Sequence, residues 1–260
     1  MSVVETEINE SVMTVTLNDE DHRNALSRQL LSELMDAIDA GESDRRVRVI
    51  VVTNRGSTFC AGANLAERAS PHPSGTGRRS IEFADLFQRI RRSPKPFVGR
   101  IAGHCVAGGV GLAAVMDISV AIDSAKFGFS EVRIGVAPAI ISVVCLPKMR
   151  LADAQSAFLR GNRFSAEEAA RIGLINMAVA PDELDREVEA VVNDLLAGEP
   201  HALAAAKQLS FSVPAMSAEE AFDWTSRLSG ELFQSDEARE GMAAFLEKRP
   251  ASWVERISRD

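Results

Sequence analysis

Apolar positions along this chain change their period several times, and the changes mark its elements. Met13, Val15 and Leu17 alternate with Thr14 and Thr16, the two-residue period of a strand with one buried face. From Ser27 the period lengthens: Leu30, Leu31, Leu34, Met35 and Ile38 recur at helical spacing, and Gly41 is expected to stop that helix. Residues 49–52 form a continuous β-branched run, too short for a helix and suited to a strand covered on both faces. Further strands are expected at 97–102, after Pro96, and across Ile118, Val120 and Ile122. Strands separated by helices imply parallel pairing with right-handed crossovers, an α/β fold.

The second half reads as helical. Ser165 with Glu168, and Ser217 with Glu220, have the spacing of capping boxes, in which the serine and the glutamate satisfy orphan backbone donors reciprocally. Leu184, Val188, Val191 and Leu195 mark an amphipathic helix ending at Gly198, and Pro200 suits the first turn of the next. The segment 70–79, SPHPSGTGRR, is expected to be a mobile surface loop.

Composition narrows the class. Twenty-nine Lys and Arg stand against 37 Asp and Glu, with neither sign gathered into a block, so no nucleic-acid or membrane surface is expected. The start of the chain lacks a basic flank before an apolar run, and no stretch of about 18 apolar residues occurs, which points to a cytoplasmic protein. Cys60, Cys105 and Cys145 are too far apart for a disulfide framework or a zinc spacing and are expected to be buried thiols. His22, His72 and His201 offer no ligand spacing, and no metal is expected.

Candidate chemistry gathers in three segments, each following a strand signal: FCAGANL at 59–65, AGHCVAGGVGL at 102–112 and FGFSEVRIGVAP at 127–138. In a parallel sheet the carboxyl ends of strands share one edge, so the three can converge on one cleft. Small residues let a ligand approach backbone N–H groups, and two N–H groups aimed at one point would hold a developing oxyanion. The P-loop, dinucleotide and nucleophile-elbow patterns do not fit these segments.

Together with DHRNALS at 21–27, RGNRFSAEEAARIGLIN at 160–176 and EAREGMAAFLEKR at 237–249, these segments resemble the crotonase family, the enoyl-CoA hydratase/isomerase superfamily, in register over nearly the whole chain. The resemblance implies a spiral of ββα turns over 1–198 and a helical region over 199–260 used in assembly, as a homotrimer or a homohexamer. It implies an acyl-CoA substrate, with no cofactor beyond the coenzyme A that carries the acyl group. The backbone N–H groups of Ala61 and Gly108 match the oxyanion hole for the thioester, and Glu131 matches a catalytic acid/base. Arg23 and Ala25 match a segment touching the CoA nucleotide, Ala61, Ala63, Asn64 and Leu65 the stretch binding its adenine, and Phe245 and Lys248 C-terminal positions that reach CoA.

The sequence departs from that pattern at three places. Gly111 stands where two-glutamate hydratases carry their first glutamate, Asn64 where many relatives have Asp, and 138–142 (PAIIS) replaces a glycine-rich run. Three readings follow. The first is an enoyl-CoA hydratase working with Glu131 alone, similar to bacterial enzymes for branched or carboxylated chains such as the methylglutaconyl-CoA type. The second is an isomerase with Glu131 as its sole base, and the third an acyl-CoA-binding relative with little turnover. His104, in the second segment, is expected to be structural, with acid/base assistance as the alternative.

Overall fold

The computed structural model describes residues 2–69 and 82–254; the expected loop at 70–79 lies outside them. The chain opens with β1 (Val4–Asn9) and β2 (Val12–Leu17), an antiparallel pair. Helix α1 (Arg28–Ser43) follows, its first turn capped by Ser27, whose hydroxyl accepts the Leu30 N–H at 3.1 Å. Gly41 lies inside this helix, not at its end: a Cβ there would stand 2.6 Å from Met13 Sδ, so the glycine serves close packing of α1 on the sheet.

Next come β3 (Val49–Asn54), β4 (Thr58–Cys60), α2 (Leu65–Ala69), α3 (Phe83–Arg92), β5 (Phe97–Ile101), β6 (His104–Val106) and α4 (Gly108–Val115). Strands β7 (Ile118–Ile122) and β8 (Lys126–Gly128) lead through a short 3-10 turn, Glu131–Ile134, to α5 (Ala139–Cys145). Helix α6 (Leu151–Arg160), β9 (Arg163–Ser165), α7 (Ala166–Arg171), β10 (Met177–Val179) and α8 (Leu184–Ala197) complete the first part. The rest is helical: α9 (Pro200–Ser212), α10 (Ala218–Gln234) and α11 (Asp236–Glu247).

Two sheets result. The larger has the order β1-β2-β3-β5-β7-β10, parallel apart from β1, and the smaller is β4-β6-β8-β9. Every residue of β3 is buried, as its unbroken apolar run requires. One face, with Val49, Val51, Val98 and Val120, is covered by Leu184, Val188, Val192 and Leu196 of α8. The other face joins the main core with α1, α3 and α4. Among the described residues, no helix is long and apolar enough to cross a membrane.

Two local expectations are corrected. Ser165 does cap α7, but Glu168 gives its carboxylate to Arg171 at 2.6 and 2.7 Å and closes no capping box; at Ser217 the box is complete. The glycine-containing segments do not follow β3, β5 and β7 directly. A second, three-residue strand intervenes each time, and β4, β6 and β8 are those strands.

The C-terminal region is tied to the rest by polar contacts. Lys207 of α9 reaches Asp117 at 2.8 Å and the Lys95 carbonyl at 3.0 Å, beneath the Phe97 ring. Arg48 donates to the Trp253 and Gly198 carbonyls, and Trp253 Nε1 donates to the Ala197 carbonyl at 3.1 Å.

Candidate active site

Strands β4, β6 and β8 run parallel, with Cys60 opposite Cys105 and Cys105 opposite Phe127. Their carboxyl ends therefore lie side by side, and the three segments start from one edge. Contacts across that edge are tight. A Cβ on Gly62 would stand 2.8 Å from the Gly108 nitrogen and 2.9 Å from the Val106 carbonyl, and Gly62 has φ +85°. Only glycine lets the first segment turn there and touch the second.

The backbone N–H groups of the first segment can be accounted for one at a time. Ala61 donates to the Arg23 carbonyl at 3.1 Å, and Gly62 to Cys60 Sγ at 3.4 Å. Ala63 forms a parallel bridge with Leu26 in which Leu26 donates to the Gly62 carbonyl at 2.7 Å, a pattern that turns the Ala63 N–H away from Leu26. No acceptor among the described residues takes it. The expected donor Ala61 is thus already committed, and the available donor is Ala63, two residues on. Sequence spacing missed this because the segment alternates its N–H directions only once it is paired.

The Gly108 N–H is set by the residue before it. Ala107, with φ 49° and ψ −122°, donates to the Gly128 carbonyl at 2.9 Å, while its own carbonyl accepts from Val110 at 2.8 Å. That carbonyl points into α4, so the N–H across the same trans peptide, on Gly108, points out of the helix start. The conformation of Ala107 is one that L-residues rarely adopt, and it aims this peptide. Helix α4 is buried along its whole length.

Glu131 begins the turn three residues beyond β8, the strand whose Gly128 carbonyl takes the Ala107 N–H. It is half-buried; its Oε2 is fully buried and has no hydrogen-bond partner among the described residues. Burial raises its pKa above the ordinary glutamate value, against a smaller opposing hydrogen bond from its own backbone. A carboxylate held this way exchanges protons more readily near neutral pH than a solvated one. One buried edge thus carries two uncommitted N–H groups and one unpartnered carboxyl oxygen.

The family model for enoyl-CoA hydratase/isomerase matches residues 7–256. The chain belongs to that family. A protein of Thermus thermophilus, provisionally named an enoyl-CoA hydratase, is 35% identical over 242 residues, 92% of this chain and 96% of its own. The crystal structure of an enoyl-CoA hydratase from Mycobacterium smegmatis has TM-score 0.89 at 31% identity, covering 97% of this chain and 99% of that one. The structure of Pseudomonas aeruginosa AtuE matches equally, TM-score 0.89 at 30% identity over 97% and 100%. The fold is therefore the crotonase fold.

Within this enoyl-CoA hydratase/isomerase fold, the loop at 21–27 is stitched to β4. Asn24, buried and at φ 51°, donates to the Arg55 and Thr58 carbonyls at 3.2 and 2.7 Å and accepts the Asp19 N–H at 2.7 Å. Sequence reading passed over Asn24 for its neighbours; its signal is an asparagine able to hold a left-handed turn. Arg23 is exposed beside it, while Ala25 is buried. Asn64 caps α2, its Oδ1 accepting the Glu67 N–H at 3.2 Å, and Leu65 is exposed.

Gly111 has no room for any side chain. A Cβ there would lie 2.4 Å from Ile141 Cγ2 and 3.0 Å from Phe87 Cζ. His104 sits at the amino end of β6, away from the edge, with Nδ1 accepting the Lys126 N–H at 3.1 Å. Phe245 and Lys248 lie at the far end of the chain, both exposed, with Lys248 ending α11 at φ 55°. Cys60, Cys105 and Cys145 are buried and free; burial holds the Cys60 thiol at about 12, so it is inert.

Proposed function

We propose that the chain is an enoyl-CoA hydratase that forms and discharges a thioester enolate, with the Ala63 and Gly108 N–H groups as its oxyanion hole and Glu131 as its one acid/base. The observation that carries the reading is the unpartnered, buried Oε2 of Glu131 on the edge where the two uncommitted N–H groups lie. In hydration, the Glu131 carboxylate takes a proton from water as the water oxygen bonds to C3. The double-bond electrons shift to the thioester oxygen, where the two N–H dipoles meet the charge without reorganising. The protonated Glu131 then returns that proton to C2, and the enzyme is restored.

Arg23, Ala25, Ala63, Asn64 and Leu65 are assigned to the CoA moiety. Phe245 and Lys248 are assigned to CoA held by a neighbouring copy, in a homotrimer or homohexamer. That assignment is supported by their exposure on their own chain. The substrate travels as its CoA thioester, and the mechanism calls for no further cofactor.

A second reading, double-bond isomerisation, is favoured by one feature: Ile141 fills the space at Gly111, so hydrocarbon stands where a second carboxyl would be. Glu131 alone suffices for it, removing a proton from C2 of a 3-enoyl thioester and returning it at C4. The test is a panel of straight, branched and carboxylated enoyl-CoAs, with hydration followed by loss of thioester-conjugated absorbance and migration by product chromatography. Hydration exceeding migration is the expected result. Migration alone selects the second reading, and tight acyl-CoA binding without turnover of any substrate overturns both.

A further inference from the structure

Gly111 and Ile141 fit each other as hole and knob. Besides the 2.4 Å approach of Ile141 Cγ2, Ile141 Cβ would lie 2.8 Å from a Cβ on Gly111. Gly111 is one turn past Gly108, so both residues show the same face of α4. Helix α3 covers that face with two rings one turn apart: Phe83 Cε2 stands 3.2 Å from a Cβ built on Gly108, and Phe87 Cζ 3.0 Å from one on Gly111. On α5, Ile141 and Cys145 are one turn apart and both buried. Ile141, 3% exposed, therefore closes the space beside Gly111, one turn along α4 from the Gly108 N–H.

We propose that Ile141 is a specificity-determining residue: it occupies the volume of the absent residue-111 side chain and presents hydrocarbon to the acyl group near the reacting carbons. This rests on the enolate reading above. The substrate class it selects is an enoyl-CoA bearing hydrogen or small alkyl groups at those carbons, with bulkier branches and polar substituents excluded. One methylene in such a pocket is worth about 10-fold or more in discrimination, which sets the size of the expected effect.

The test compares Ile141→Val, which keeps Cγ2, with Ile141→Ala, which removes it. Relative kcat/KM is measured for linear and alkyl-branched enoyl-CoAs. Ile141→Ala is expected to shift preference towards the branched chain by about 10-fold, and Ile141→Val by much less. A second measurement is free of turnover: Gly111→Ala is expected to lower the melting temperature, and Ile141→Ala added to it to restore part of the loss. An unchanged preference in folded Ile141→Ala, or melting losses that simply add, overturns the proposal. If the wild type turns over no enoyl-CoA, the enolate reading fails, while the melting cycle still reports on the knob and hole.

Discussion

Two neighbouring glycines should respond oppositely to the same substitution. At Gly109 a Cβ would be 2.0 Å from the Cys60 carbonyl oxygen and 2.7 Å from its carbon, both backbone atoms of a fully buried residue. No rotamer change relieves that overlap, so the start of α4 must move away from β4 by about 1 Å or more. Overpacking of this kind costs about 1–3 kcal/mol. The same movement displaces the Gly108 N–H, and losing one oxyanion donor costs about 10²–10³ in kcat. At Gly108 the nearest atoms to a Cβ are Phe83 Cε2 at 3.2 Å, Gly62 Cα at 3.3 Å and Leu26 Cδ1 at 3.4 Å. Shifts of a few tenths of an ångström accommodate it, and alanine keeps the N–H. Gly108→Ala should thus stay within about 1 kcal/mol and 10-fold of wild type, and Gly109→Ala should not. Denaturant unfolding gives the first quantity and steady-state kinetics on the best enoyl-CoA the second. Wild-type stability and turnover in Gly109→Ala would refute the assigned contact. Equal kcat losses in both folded variants would refute the role of the Gly108 N–H geometry.

Glu131→Gln should keep acyl-CoA affinity and lose about 10² or more in turnover, and the acid limb of kcat/KM in the wild type should fall above the ordinary glutamate range near 4.3. Because folding raises this pKa, the folded state binds the proton more tightly, and stability is lost as pH rises from the unfolded value through the folded one. The Gln variant should therefore melt higher than wild type at pH 8, with the difference vanishing by pH 4 in parallel thermal scans. Lys207→Met strands Asp117 without its 2.8 Å partner and should cost about 3–5 kcal/mol by denaturant titration, part of it recovered by adding Asp117→Asn. Phe222, Phe233, Phe245 and Leu246 are 74%, 66%, 83% and 79% exposed, so light scattering should find three or six copies at micromolar concentration; a stable monomer overturns that assembly.

Legibility in the sequence followed the length of each signal. Residues 49–52 and the Leu30–Ile38 spacing survive intact as β3 and α1, because burial on one or two faces imposes a period over many residues. Strands of three residues, β4, β6 and β8, leave no period to read, and they are the ones that set the site. Gly41 misled because a glycine pressed against Met13 looks the same in sequence as one ending a helix. The Ala61 assignment failed for a related reason. Which N–H of a loop remains free depends on the Arg23 carbonyl and Cys60 Sγ that accept from Ala61 and Gly62 and on the Leu26 N–H that donates to the Gly62 carbonyl, and two of these three lie outside the motif. That Glu131 stands without a glutamate at 111 was legible; what fills the space there was not, because Ile141 arrives from another helix.

The chain's treatment of helix starts makes the site's logic plain. Ser27, Ser165, Glu199, Ser217 and Ser235 each cap a helix with a side-chain oxygen. Such caps are worth about 1 kcal/mol each. Helix α4 has no such cap, and Ala107 instead holds a strained backbone conformation at its start. Elsewhere an uncapped start can be satisfied by water, but here Gly108 and Gly109 are buried. A serine or aspartate oxygen at this point would satisfy the first-turn N–H groups and stand in the place of the thioester oxygen. Helices α5, α6 and α8 also start without a side-chain cap, but α4 is the one buried along its whole length, and on the proposed reading its uncapped start leaves the Gly108 N–H for substrate. Beside it Phe83, Phe87 and Ile141 pack apolar atoms against the Gly108–Gly111 face of α4, and on the proposed reading the Gly108 N–H is left to meet the charge that develops on an enolate.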